Sequence, residues 1–465
     1  MKITKQLSLF DFTIIMLSLV VGMGVFRTPA NVAEAVSSPT IFYAAWIAGG
    51  LIALCGALTY AEIGSRMPVT GGYYKVIAYA YHPSIAFAIN CIILVSNASS
   101  LAAVALVGGE YITGVLIPQS QNANWLLQPG NAHYIQNIQI VIAISAIIIF
   151  YGVNLLGLKM SARTQNILTV IKILMIIALI SPLFFATSSA HPAISVASHT
   201  SPVFTEYLKS FGIGLVAVSF TYGGYQQTIN FGEEVVNPKK TIPRGIFLGI
   251  IVIIILYLLI NYAYVNVIGF EELKSAKNIA AIMASKVFGI NAERILSVLL
   301  FLSVLAYVNI LLMSNPRVMA AMSDDKILPS SFKKRNIKTE TLTTSLSVFS
   351  ILCVLIIFWA KKFDTILSFT IFLDSFGMVF SAGSIFIIRK KTSYLNDSGI
   401  YMMKLYPLLP LIFIAAYTFV GVSIFISYTK ISLIGLGVLA AFMILYFVAE
   451  AIKKGKYRRL TKNNS

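Results

Sequence analysis

The chain alternates between long apolar runs and short polar connections. A helix needs about 20 apolar residues to cross the hydrocarbon of a bilayer. Runs of that length recur near residues 11–36, 40–64, 84–116, 135–155, 163–187, 206–231, 243–268, 290–321, 341–360, 363–388, 404–427 and 431–450. The pattern predicts an all-α, polytopic membrane protein of 12 transmembrane helices, forming one domain over residues 1–465. The third and eighth runs are longer than a perpendicular crossing requires, which implies tilt or extension past the bilayer.

Composition agrees with this pattern. Hydrophobic residues make up 58% of the chain and charged residues 11%, with a mean hydropathy of +0.84. A soluble chain of this length would need far more polar surface to cover itself. The first run extends past the apolar stretch of a signal peptide and lacks a cleavage site, so it is expected to remain as a membrane helix. Cys55, Cys91 and Cys353 lie in apolar runs, at no metal or disulfide spacing. His82, His133, His191 and His199 form no HxxxH pair. No HExxH, nucleophile elbow or phosphate loop occurs, so neither enzyme chemistry nor a metal or cofactor is expected.

The formal net charge is +18, which in a soluble protein would point to nucleic acid. Its distribution points elsewhere. With the amino terminus inside, the inner segments hold 25 Lys and Arg and the outer segments 8, leaving Arg27 and Lys172 within runs. The positive-inside rule then places both termini in the cytoplasm. The excess charge becomes a topology signal with some attraction to anionic lipid. The expected location is the plasma (inner) membrane, multi-pass, and nucleic-acid binding is set aside.

Two runs carry glycine pairs in their interiors. The first contains Gly22-Met23-Gly24-Val25-Phe26 and the sixth contains Phe220-Thr221-Tyr222-Gly223-Gly224-Tyr225. Either pair alone could serve close helix packing through small residues. Together they are more informative, because a membrane helix breaks only where the freed backbone is buried in protein or lines a cavity. The two runs point in opposite directions and lie five spans apart. This predicts inverted repeats over 11–187 and 206–388, with two appended helices over 404–450. The half-helix starting near Gly24 would offer free N–H groups to an anion, and the half-helix ending near Phe220 to Gly223 would offer carbonyls to an ammonium. Such a pair of cradles fits an α-amino acid.

The same residues carry a family resemblance. GMGVF resembles the glycine-rich break of helix 1 in the amino acid–polyamine–organocation (APC) superfamily. GALTYAEIGSRMPVTGGYY, LLGLKMSARTQNILTVIKIL and FTYGGYQQTINFGEEVVNPKKTIPRGI are similar to its patterns in helix 2, helix 5 and helix 6 with their loops. The resemblance spans nearly the whole chain and is closest to bacterial amino acid permeases and L-type amino acid exchangers. It implies the LeuT-like inverted repeat, with helices 1–5 and 6–10 as the repeats. It also implies a secondary active transporter of neutral or weakly polar L-amino acids that works by alternating access, through exchange or proton-coupled uptake. By motif position, the substrate carboxylate would meet the N–H groups of Met23 and Gly24. The ammonium would meet carbonyls of Val20, Phe220 and Gly223. Phe220 would also be the aromatic gate. Asn97, Ser100 and Ala103 would face the pocket from helix 3, and Gln226 would follow the helix 6 break. Met23 departs from the family's usual small residue and would narrow the space beside the carboxylate.

Charges inside the runs are functional by default. Lys172 matches the family lysine that stands where sodium-coupled relatives hold an ion, so bracing of helix 1 and proton coupling are both open to it. Arg27 and Asp374 are expected to pair as an outer gate. Alternatives are an Arg27–Glu34 contact, and an Asp374 that faces the site to bind a proton or a cationic side chain. Glu62 and Arg66, spaced i,i+4, read as a structural pair. Glu233 and Glu234 are expected to form a network with Lys239, Lys240 and Arg244, or a solvated loop. A cationic amino acid or polyamine transporter is the main alternative function. A non-transporting amino acid sensor is more distant, since both tails are short. The partners expected are the amino acid, the bilayer and, under proton coupling, a proton, with the oligomeric state open.

Overall fold

The computed structural model describes residues 5–116, 129–185, 204–276, 279–359 and 363–462. Among them the regular elements are helical, and the only pairing outside helices consists of two isolated bridges, Leu7 with Val235 and Thr70 with Phe231. In chain order the α-helices are α1 (Leu9–Val20), α2 (Gly24–Ala35), α3 (Pro39–Arg66), α4 (Gly72–Ala80), α5 (Pro83–Leu116), α6 (Pro129–Leu155), α7 (Leu158–Ile180) and α8 (Pro182–Phe185). There follow α9 (Phe204–Tyr222), α10 (Pro238–Ile268), α11 (Phe270–Ser275), α12 (Ile279–Phe288), α13 (Ile290–Asp324), α14 (Thr343–Trp359), α15 (Phe363–Lys391), α16 (Leu408–Ser427) and α17 (Thr429–Lys462).

Local chemistry sets several of these limits. Ser8 caps α1 in a full capping box with Asp11, and Ser38 followed by Pro39 opens α3. Gly157 and Gly269 end or begin helices with positive φ. Among the described residues, ten helical stretches are long and apolar enough to cross a membrane, the first counted as Leu9–Ala35 across its interruption. Of the twelve expected runs, the sixth and ninth correspond to α9, of 19 residues, and α14, of 17. The sixth run is shorter than expected because its helix stops at Tyr222 instead of continuing to 231.

The helices differ in how enclosed they are. The apolar window of α5 is 83% buried in the protein, against 11% for α17. α5 is therefore an inner post of the bundle, and α17 turns most of its apolar surface outward. That outward surface is tolerable only in a lipid-like medium. α5 packs closely on α13, α6 and α15, while α1 packs on α10 and α7.

The basic segments meet at one end of the bundle and are tied by buried acids. Glu62 on α3 is fully enclosed. It accepts hydrogen bonds from Arg66 Nε at 2.8 Å, from Arg389 Nε at 2.7 Å and Nη2 at 2.8 Å, and from the Met403 amide at 2.8 Å. Arg66 in turn donates to Thr392 Oγ1 at 3.0 Å and Asn396 Oδ1 at 3.0 Å. Glu62 thus locks α3 to α15 and to the connection after it, which is more than the expected i,i+4 pair. Glu234 pairs with Arg317 Nε at 2.7 Å and Arg335 at 3.5 Å. The expected partners Lys239, Lys240 and Arg244 are not its partners. The chain after the sixth run folds back toward α13, and Lys239 donates to Ser398 instead.

Removing one member of a buried ion cluster leaves the others without compensation, at about 3–5 kcal/mol. Glu62→Ala should therefore lower thermal stability in detergent sharply. Lys274→Ala removes a surface i,i+3 pair with Glu271 and a cation–π contact at 4.9 Å from the Phe270 ring centre, and should cost only about 1–2 kcal/mol. Thermal unfolding of the two purified variants checks the contrast.

Candidate functional site

The two glycine-rich motifs break their helices, and the breaks interlock. α1 ends at Val20 and α2 begins at Gly24, so Val21, Gly22 and Met23 lie between them. Met23 caps α2 without a side-chain hydrogen bond. The Met23 carbonyl accepts from the Phe26 amide at 3.1 Å, while the Gly24 and Val25 amides have no intrahelical acceptor by helix geometry. The second break falls between Tyr222 and Tyr225, where α9 gives way to a short 3-10 turn over Tyr225–Asn230. Gly224 has φ +115°, and a Cβ there would sit 2.1 Å from the Leu19 carbonyl oxygen. A Cβ on Gly24 would come within 2.9 Å of Thr221 Oγ1. Each break therefore needs a glycine where it meets the other. Gly22 is looser, since a Cβ there would make only ordinary contact, at 3.5 Å, with the Tyr307 ring.

The freed backbone groups are partly satisfied from behind. Lys172 on α7 is fully buried and its ammonium donates to the Val21 carbonyl. Tyr257 Oη on α10 donates to the Val20 carbonyl at 3.0 Å, and the Gly22 amide donates to the same oxygen at 2.8 Å. Gln226 Oε1 accepts from the Gly224 amide at 2.9 Å. A buried amide chain supports α1 from below: Asn154 donates to Asn309 at 2.8 Å, Asn309 to Gln165 at 2.7 Å, and Gln165 to Ser18. Buried polar groups need partners, and here side chains from three helices replace a straight helix's own hydrogen bonds.

A cavity of about 60 Å³ opens where the breaks meet. Its wall includes Leu19, Val20, Gly22, Met23 and Gly24 from the first break, and Ser219, Thr221, Gly223, Gly224, Gln226 and Gln227 from the second. Asn97, Ser100 and Val104 come from α5, Tyr307 and Leu311 from α13, Ile371, Asp374 and Met378 from α15, and Tyr417 from α16. Four hydrogen bonds stiffen the wall. Gln227 Nε2 donates to Asn97 Oδ1 at 3.0 Å, and Asn97 Nδ2 donates to Asn315 Oδ1 at 2.7 Å. The Ser100 and Tyr307 hydroxyls lie 2.7 Å apart. Ser96 Oγ donates to Asp374 Oδ1 at 2.8 Å.

Of the residues expected from sequence, Val20, Met23, Gly24, Asn97, Ser100, Gly223, Gln226 and Asp374 line this one cavity. Ala103 does not. Val104 takes its place, because Asn97, Ser100 and Val104 at i, i+3 and i+7 share a face that Ala103 leaves by one helical step. The backbone of Phe220 lies in α9, and its side chain falls outside the described residues. Lys172 stands behind α1, away from the cavity wall. Arg27 forms an ion pair with Glu110 of α5 at 3.5 Å, while Asp374 is held by Ser96, so the expected Arg27–Asp374 contact is not made in this structure. Sequence reasoning missed Tyr307, Gln227 and Tyr417. Gln227 adjoins Gln226 in the motif and could have been found there, whereas Tyr307 and Tyr417 come from runs with no distinguishing motif. Among the described residues no group of three or more His, Cys, Asp or Glu could hold a metal ion.

A bundle of apolar helices, two of them broken around a small cavity that mixes backbone ends with polar side chains, has the form of a membrane transporter. Residues 7–449 match the model of the amino acid permease family, and the chain belongs to that family. It is 26% identical over 419 residues to the serine/threonine exchanger SteT of Bacillus subtilis, covering 90% of each chain. It is also 26% identical over 451 residues to the human large neutral amino acids transporter small subunit 2, covering 96% of this chain and 80% of that one. A third similar protein is the methylthioribose transporter of Bacillus subtilis, 26% identical over 340 residues, or 72% of this chain and 70% of that one.

Gly224→Ala should abolish transport while Gly22→Ala retains at least half of it. The first forces a side chain into left-handed backbone, at about 1–2 kcal/mol, and against a carbonyl oxygen as well. The second meets only a movable ring. Uptake normalised to protein in the membrane distinguishes the two.

Proposed function

We propose that the protein is a secondary active transporter that moves small neutral L-amino acids by alternating access. The observation that carries this reading is the meeting of two broken helices at one cavity, with the amino end of α2 and the carboxyl end of α9 both on its wall. One presents donors to a carboxylate and the other presents carbonyls to an ammonium. The permease family and the printed activities of SteT and the neutral amino acid transporter support the same substrate class. The cavity size supports a small member of it. About 60 Å³ is several times the minimum of about 10–15 Å³ that holds a single water on this measure, which favours small substrates such as glycine, alanine or serine.

In this reading the chain crosses the membrane twelve times as a LeuT-like inverted repeat of residues 11–187 and 206–388, with both termini in the cytoplasm of a plasma-membrane protein. The helices α9 (Phe204–Tyr222) and α14 (Thr343–Trp359) then belong to the sixth and ninth crossings. The substrate carboxylate lies on the amides of Met23 and Gly24, and Asn97, Ser100 and Gln226 shape the remaining wall. Arg27, paired with Glu110, belongs to the outer closure. Lys172 supplies a fixed cation to the freed Val21 carbonyl, in the role a metal ion would otherwise play, and so links the break to coupling.

Reconstitution tests the function. Proteoliposomes loaded with unlabelled L-serine should take up labelled L-serine several-fold faster than empty ones if exchange operates. Without exchange, an inward proton gradient should drive uptake. A protein that binds amino acids yet supports neither flux is a sensor, and the transporter reading fails. Replacing sodium with choline should leave uptake unchanged, and Lys172→Met should lower it at least tenfold. Strict sodium dependence would contradict the role given to Lys172.

A further inference from the structure

Asp374 is the one formal charge on the cavity wall. It sits in the apolar body of α15 and receives a single hydrogen bond, from the neutral hydroxyl of Ser96 at 2.8 Å. No ion pair among the described residues includes it. Arg27, the nearest cation in the expected scheme, is engaged with Glu110. A half-buried carboxylate at this depth without a counter-charge is costly, and the cost falls when a cation enters beside it.

The opposite deficit exists at the first break. An α-ammonium has three N–H donors and wants three acceptors. The Val20 carbonyl is expected to supply one, but it already accepts from Tyr257 Oη and from the Gly22 amide. Both lone pairs of that oxygen are therefore in use. The carbonyls at the end of α9 remain, and one donor is left over.

We infer that Asp374, steadied by Ser96, is the cation pole of the substrate cavity and accepts the α-ammonium of the bound amino acid. The amino end of α2 is the anion pole. A zwitterion lies between them, with its carboxylate on the Met23 and Gly24 amides and its ammonium against the Asp374 carboxylate. Met23, Gly24 and Asp374 line the same cavity of about 60 Å³, so one small substrate can lie against both poles. The ion pair also removes the reason for the empty site to hold a bare carboxylate, which makes a carboxylic acid without an amine a poor ligand. This inference rests on the transporter reading and adds to it the group that recognises the amine.

The test pairs a change in the ligand with a change in the protein. L-Glycerate is L-serine with a hydroxyl in place of the ammonium. Dissociation constants for both are measured on the purified, full-length protein by calorimetry. The unmodified protein should prefer L-serine by at least 100-fold, and Asp374→Asn should shrink that ratio at least tenfold. An unchanged ratio in a folded D374N protein overturns the inference and leaves the transporter reading standing. An unmodified protein that binds no amino acid overturns the reading beneath it. Should D374N not fold, the native chain still decides the matter. L-Serine, and not L-glycerate, should slow modification of Asp374 by a hydrophobic carbodiimide at least fivefold, read by mass spectrometry. Equal rates with and without L-serine overturn the assignment.

Discussion

The structure depends on one constraint: backbone N–H and C=O groups released from a helix need partners where water cannot supply them. Two helices are broken here, and each break frees a handful of such groups. The surrounding residues are arranged to absorb some and leave others. Lys172 and Tyr257 take up the carbonyls of Val21 and Val20, and Gln226 takes up the amide of Gly224. The amino end of α2 is left without a side-chain cap. A site made this way is selective by omission, because the groups left unsatisfied define what can bind.

Holding two breaks in register requires close backbone approach and rigid support. Glycine supplies the first at Gly24 and Gly224, where any larger residue meets Thr221 or the Leu19 carbonyl. Buried amides supply the second. The links from Asn154 through Asn309 and Gln165 to Ser18, and from Gln227 through Asn97 to Asn315, tie α1, α5, α6, α7 and α13 to the breaks. Such hydrogen bonds are directional, so they fix position more sharply than apolar packing between helices can. Farther from the cavity, Glu62 and Glu234 draw basic residues of distant segments into two clusters at one end of the bundle. Those clusters are the strongest polar ties between α3 and α15 and between the turn after α9 and α13. They stand where rearrangement during a transport cycle would have to break or carry them along.

Sequence by itself determined the helical character, the apolar runs, the uneven distribution of Lys and Arg, and the two places where helices stop. These are local properties, written in composition and in the backbone limits of glycine. It also pointed to the residues beside each break, because a break names its neighbours directly: Val20, Met23, Gly24 and Gly223 adjoin the missing turns and line the cavity. Only the tertiary structure decided which face of each remaining helix meets the cavity. α5 is apolar or small on every side and buried on every side, so periodicity carries no direction, and the choice between Ala103 and Val104 had to come from packing. Partner choice was likewise invisible. Arg27 meets Glu110, and Glu234 meets Arg317 and Arg335, because long side chains reach whichever opposite charge the folded neighbours bring near. The saturation of the Val20 carbonyl by Tyr257 belongs to the same class, since it joins residues 237 positions apart, and no local pattern encodes a contact of that range.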